Sequence, residues 1–237
     1  IPPAFVDSVY AETEGNLFYI EEVCRTLIDE GGIYCSNCSD ACWVFPQDLT
    51  HTPIPQSVRL AVQARVGKLP PEAQDVLRLA AVIGREFDFD TLRRACDLDE
   101  ERLIDALEAA QRAQLIAEVR TNGGRGTPRG AARDAFVFAH NLTRATLLES
   151  VSGLRRRRLH RRVAEAIEAL HPEEDATLAY HCSEAGDDDH ARTHYRNAAD
   201  QDRRVYANEE AIRAYSEAIV LTPDTDRERF DLLLARA

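Results

Sequence analysis

Apolar residues recur along most of this chain at the three-and-four spacing of an amphipathic helix. After Asn16, a cap residue, Ile20, Val23, Cys24, Leu27 and Ile28 share one helical face. Glu21 and Glu22 lie in the early turns, where carboxylates complement the helix dipole, and Gly31-Gly32 supplies the stop. Residues 33–52 lose this period and predict irregular chain or a short hairpin, with Trp43-Val44-Phe45 as its strand-like piece. Pro55 suits a first helical position. Val58, Ala61, Val62, Arg65, Val66 and Leu69 then mark a second helix, ended by Pro70-Pro71.

A third helix is predicted from Pro71-Glu72, with Val76, Leu77, Ala80 and Ala81 inward and Gly84 at its end. Asp90-Thr91 opens a short fourth helix around Leu92 and Cys96. Asp99 opens a fifth, with Leu103, Ile104, Leu107 and Ala110 on one side. Two β-rich runs follow, residues 115–120 and 135–138, flanking a Gly/Arg/Pro loop over 121–133. Three helices followed by a hairpin is the order of a winged helix-turn-helix.

Beyond Asn141 the helical period returns. Leu159, Val163, Ala166, Ile167 and Leu170 form a stripe flanked by Arg155 to Arg158, Arg161 and Arg162. Ala191, Tyr195, Ala198 and Ala199 fall on one later helix, and Ala211, Tyr215 and Ala218 on the next, closed by Pro223. The last four match the second half of a tetratricopeptide repeat. The first half departs from that pattern: Tyr195 stands where tryptophan is usual, Ala199 where glycine is, and Asp202 where tyrosine is. The fold class expected is therefore mainly α: a helical lid segment over 1–69 with a cysteine-containing loop at 33–53, a winged-helix-like domain over 70–153 with a small β-hairpin, and a truncated tetratricopeptide-like region over 154–237.

The 237 residues, 44% of them hydrophobic, suffice for one large domain or two to three small ones. The absence of methionine and the start at Ile1 predict a piece of a longer chain. No apolar run approaches a transmembrane length, and a net charge of −12 disfavours broad adhesion to nucleic acid or anionic membrane. A cytoplasmic protein is expected. The predicted recognition helix carries Asp99, Glu100, Glu101, Asp105 and Glu108 against Arg102 and Arg112, so it would be repelled by DNA. A winged helix facing protein is the better reading.

A phosphate loop needs backbone amides around the anion and a lysine against its oxygens. The one lysine, Lys68, lies in Val66-Gly67-Lys68-Leu69, which has neither the first glycine nor the hydroxyl of that motif. No catalysis is expected from this chain alone. The remaining chemical oddity is Cys35, Cys38 and Cys42, three thiols that can converge on zinc, with His51 or Cys24 as a fourth ligand. A reduced surface loop is the default reading of that cluster, because a strong zinc signature pairs two C-x-x-C units. Histidines at 140, 160, 171, 181, 190 and 194 show no H-E-x-x-H or comparable metal spacing, and His181 and Cys182 with His190 and His194 read as helix-packing or surface residues.

In order along the chain, several of these blocks resemble one family. Thr13-Glu14-Gly15-Asn16-Leu17-Phe18-Tyr19-Ile20-Glu21-Glu22-Val23 is similar to the E-G-N-P-F-F-x-x-E motif that opens the helical lid of bacterial STAND-type AAA ATPases, such as large LuxR-type regulators and ATPases linked to nucleotide cyclases. Residues 54–69 resemble their next lid helix, and 77–87 the start of their winged helix. Residues 136–140 and 156–164 resemble the region before their helical repeats. Leu17 replaces the family's proline, which packs near the adenine.

The resemblance implies ATP or ADP held by an upstream nucleotide-binding domain. Gly15, Asn16, Leu17 and Phe18 would lie near the base. Arg59, with Arg65 beside it, is the candidate for a sensor-like arginine. It also implies a protein or small-molecule inducer received by the repeats. The alternatives are a helical-repeat scaffold without nucleotide, or a DNA-binding winged-helix regulator.

Overall fold

The structure, a computed structural model, describes residues 1–237 except 14, 30, 37–41, 45–55, 122–132, 224–225 and 237. Among the described residues it is mainly helical, with small antiparallel pairings. The chain opens with α1 (Pro3–Thr13), α2 (Leu17–Asp29), a short hairpin of β1 (Tyr34–Ser36) and β2 (Cys42–Val44), and α3 (Gln56–Gly67). It continues through α4 (Pro71–Ile83), β3 (Glu86–Asp88), α5 (Phe89–Ala95), α6 (Glu100–Arg112), β4 (Ile116–Thr121) and β5 (Arg133–Phe138). Helices then run to the end: α7 (Asn141–Glu149), α8 (Gly153–Leu170), α9 (Asp175–Ala185), α10 (Asp188–Arg204), α11 (Asn208–Leu221) and α12 (Arg227–Arg236).

These elements form two units, one of residues 1–87 with 99–150, the other of 88–98 with 151–237. In the first, Phe5 and Val9 of α1 pack with Val23 and Leu27 of α2 and with Ile33. α1 was not expected from the sequence; its first ten residues show no clean stripe, and it folds because Phe5 and Val9 have α2 to meet. Gly31 turns the chain after α2 at φ +75°, the left-handed region that glycine enters without cost. Ile28, expected inward, is half exposed at 50%, whereas Tyr19, not counted in the apolar stripe, is buried.

α4 begins on Pro71, ends at Gly84, and buries Val76, Leu77, Ala80 and Ala81 as the period predicts. α6 is capped by Asp99, whose carboxylate accepts from Arg102 N at 3.0 Å. It buries Leu103, Ala106, Leu107 and Ala110, but Ile104 stays 42% exposed, because a 100° step carries it off the buried face. β4 and β5 pair antiparallel from Ile116↔Phe138 to Thr121↔Arg133, and β5 lies between β3 and β4. Phe87 stacks on Phe136 at 5.7 Å and meets Phe138 at the same distance.

In the second unit α5 starts two residues earlier than Asp90-Thr91 predicted: Asp88 is the cap, accepting from Thr91 N at 2.8 Å, and Cys96 lies just past the end. α8 buries Val163, Ala166 and Ile167 from the expected stripe, and also His160, which no apolar pattern selects. Gly186 at φ +76° closes α9, and Asp187 then caps α10. Ala199, Ala211, Tyr215, Ala218, Ile219 and Leu232 form one cluster joining α10, α11 and α12.

Candidate functional site

In the first unit, two of the sequence-selected regions meet the same short helix. Gly15 sits at φ +77°, and a Cβ there would come within 3.2 Å of the Tyr10 ring. The turn carries Asn16 so that its backbone oxygen accepts Ile20 N at 2.9 Å while its side-chain amide donates to His140 Nε2 at 3.4 Å. Tyr19, one turn into α2, is buried and meets the His140 ring edge-on at 5.3 Å. Tyr19 also packs on Leu142. His140 precedes α7 directly, so the α2 turn holds the N-terminal end of α7.

Arg59 on α3 holds the other end. Its guanidinium pairs with Glu149, the last residue of α7, at 3.0 Å, while Arg59 Nε is buried without a protein acceptor. Between the two ends, Arg144 Nε donates to the Ala81 carbonyl of α4 at 2.9 Å. α7 is thus held from the turn before α2 and from α2 by Asn16 and Tyr19, from α3 by Arg59, and on α4 by its own Arg144. Leu17 is 77% exposed and Arg65 is exposed. Phe18 lies in α2, and its side chain is outside the described residues.

The cysteine candidates fall differently. Cys35 and Cys42 lie in β1 and β2, where Cys35 is opposite Trp43 and Cys42 opposite Ser36. Their side chains, and all of Cys38 and His51, lie outside the described residues. Cys24 is half-buried, and desolvation raises its thiol pKa. Among the described residues no group of three or more His, Cys, Asp or Glu side chains is arranged to hold a metal ion.

The second unit carries a polar cluster centred on Asp175, which the sequence does not mark. Asp175, at the start of α9 and buried, accepts from His194 Nδ1 at 2.8 Å, Asn197 Nδ2 at 3.2 Å and Gln201 Nε2 at 2.7 Å. Three donors spaced along one face of α10 thereby fasten α9 to α10 through one carboxylate. Cys182 packs with Ala164 and Ala191 and lines a cavity of about 190 Å³ with Arg161, Glu168 and His190. Burial, with Asp187 and Glu168 adding to it, pushes the Cys182 thiol up to about 11, so it is a poor nucleophile. The signal for Asp175 was a D-x-x-x pattern indistinguishable from any helix start; its partners lie 19 to 26 residues away.

His190 Nδ1 donates to both Asp187 oxygens at 2.9 Å, a bond that raises the imidazole and lowers the carboxylate pKa. The raised histidine contributes stability below its unfolded value of about 6.5, lost as pH rises through the folded value. The lowered aspartate contributes above its ordinary value of about 4, lost as pH falls through the folded one. The pair therefore acts fully between those two limits. In a histidine NMR titration, His190 is expected to titrate above the ordinary range, and Asp187→Asn to return it there. An unchanged His190 in that variant would contradict the pairing.

The described helices include none long and apolar enough to cross a membrane. No family model matches the chain, and no solved structure matches it. The chain is similar to hybrid signal transduction histidine kinase G of Dictyostelium discoideum, 33% identical over 109 residues. That match covers 46% of this chain and 3% of that protein, so the chain spans a small fraction of the relative's length.

Proposed function

We propose that this chain is the regulatory portion of a STAND-type signalling ATPase, working on ATP or ADP held by an upstream nucleotide-binding domain. The observation that carries the reading is the double grip on α7. The lid motif reaches it through Asn16 and Tyr19 at His140, and the sensor-like arginine reaches it through Arg59 at Glu149. A nucleotide that displaced either motif would pull on α7, and through Arg144 on α4. In this reading residues 70–153 act as a winged helix and 154–237 as tetratricopeptide-like repeats. The repeats receive a protein or small-molecule inducer and bias two states of the switch. The buried Ala211, Tyr215 and Ala218 occupy the positions that such repeats use for packing between helices. Similarity to a protein named for signal transduction is in keeping with a signalling role.

A DNA-reading role is disfavoured by charge. The exposed face of α6 presents Glu100, Glu101, Asp105 and Glu108, and its Arg102 is already paired with Glu72. The reading is tested by incubating the purified chain with Mg·ATP. No turnover above buffer is expected, because nothing in the sequence can cradle the phosphates; turnover that co-purifies with the chain would overturn it.

A further inference from the structure

We propose that the buried imidazole pair His160–His181 makes the α8–α9 joint an acid-sensitive clasp. The observation is geometric. His160 on α8 is 2% exposed and His181 on α9 is 1% exposed. Their Nδ1 atoms lie 3.0 Å apart, with ring centroids separated by 5.1 Å. Two ring nitrogens at that distance share one proton: one Nδ1–H donates and the other Nδ1 accepts through its lone pair.

Counting protons gives the consequence. A neutral pair has two N–H groups on four ring nitrogens. One further proton can be taken up while the contact holds, because His160 Nε2 faces Glu184 Oε2 at 3.9 Å and a cationic His160 can still donate from Nδ1. The second cannot, since both Nδ1 atoms would then carry hydrogen and two N–H groups would oppose each other at 3.0 Å. In the open joint both rings take a proton near the ordinary value of about 6.5. The closed joint is therefore one proton short at low pH. A histidine whose proton uptake is suppressed contributes stability above its unfolded pKa and loses it as pH falls, so acid favours opening.

The neighbours do not cancel this. On α9 the pair meets Tyr180, edge-on to His160 at 5.6 Å and to His181 at 5.2 Å, and Glu184. From α8, Arg156 and Arg157 line the cavity that Glu184 also lines, which opposes further positive charge. α5, which packs against α8, carries exposed Arg93 and Arg94 and, just beyond it, Asp97, paired with Arg162. On α10, packed against α9, His194 is bonded to Asp175. Glu184 is the carboxylate that faces His160 Nε2, and it can stabilise one imidazolium.

The test is hydrogen exchange of α8 and α9 backbone amides in the whole chain across pH, corrected for intrinsic exchange. From about pH 7.5 to about pH 5 the opening constant is expected to rise about 30-fold, the factor for one suppressed proton with an unfolded pKa of about 6.5. In His181→Gln, whose side-chain oxygen accepts from a protonated His160, the rise is expected to shrink below about 3-fold. A histidine-labelled NMR titration of the unmodified protein stands beside it in case that variant does not fold. One of the two rings is expected to remain neutral throughout this range. A flat opening constant, an equal rise in the variant, or two rings titrating together near the ordinary value would each overturn the clasp.

Discussion

Tyr215→Ala is expected to lower the stability of the second unit by about 3–5 kcal/mol, the range for deleting a fully buried aromatic side chain. Tyr215 is 1% exposed and sits among Ala199, Ala211, Ala218 and Leu232. Those neighbours are mostly alanines, too short to collapse into the space left behind, so the cavity term stays near its full size. Its hydroxyl donates to Asp200, and burial raises the phenol pKa. Tyr215→Phe keeps the ring and is expected to cost only about 1 kcal/mol, the net worth of a hydrogen bond. Chemical denaturation followed by circular dichroism measures both. Equal losses for the two variants would show that the hydroxyl, and not the ring, holds α10 to α11.

The second large effect, on the proposed reading, concerns nucleotide coupling and not stability. Arg59→Ala removes one grip on α7. The Arg59–Glu149 pair is partly exposed, with side chains 38% and 45% accessible, so the stability change is expected to stay below about 1 kcal/mol. The nucleotide dependence of α7 in the full-length product is expected to fall much further, by a factor within the roughly 5–150-fold range of typical coupling energies. The measurement is the difference in hydrogen exchange of residues 141–149 between ADP-loaded and ATP-loaded protein. The charge-reversed double variant, Arg59→Glu with Glu149→Arg, is expected to restore most of it. Full nucleotide dependence in Arg59→Ala would remove this residue from the coupling route.

Local signals in the sequence carried most of the helices because they rest on local periodicity and caps. α4 begins and ends at the proline and glycine that mark it, and Asp99 caps α6 as its position predicts. The failures are informative. Asp88 outcompetes Asp90-Thr91 for the start of α5 because β3 delivers it in extended geometry, with its carboxylate within reach of Thr91 N. α1 has no stripe of its own and depends on α2. The site was only half legible. Gly15, Asn16 and Arg59 came from a motif resemblance, whereas His140 and Glu149, their partners, lie 124 and 90 residues away along the chain. No window-based pattern reaches that far. The pairing of His160 with His181 was not legible for a related reason: a buried histidine breaks the apolar stripe that marks a core face, and only the partner 21 residues on explains it.

The central claim is that nucleotide bound upstream is read by the α2 turn and Arg59 and passed to α7. Its most direct test is hydrogen exchange on the full-length product, loaded with ADP or with a non-hydrolysable ATP analogue and compared at residues 16–19 and 141–149. The account predicts that protection at both segments changes together between the two nucleotides, while the chain alone responds to neither. Identical protection in the two loaded states, or a change at one segment without the other, would contradict it.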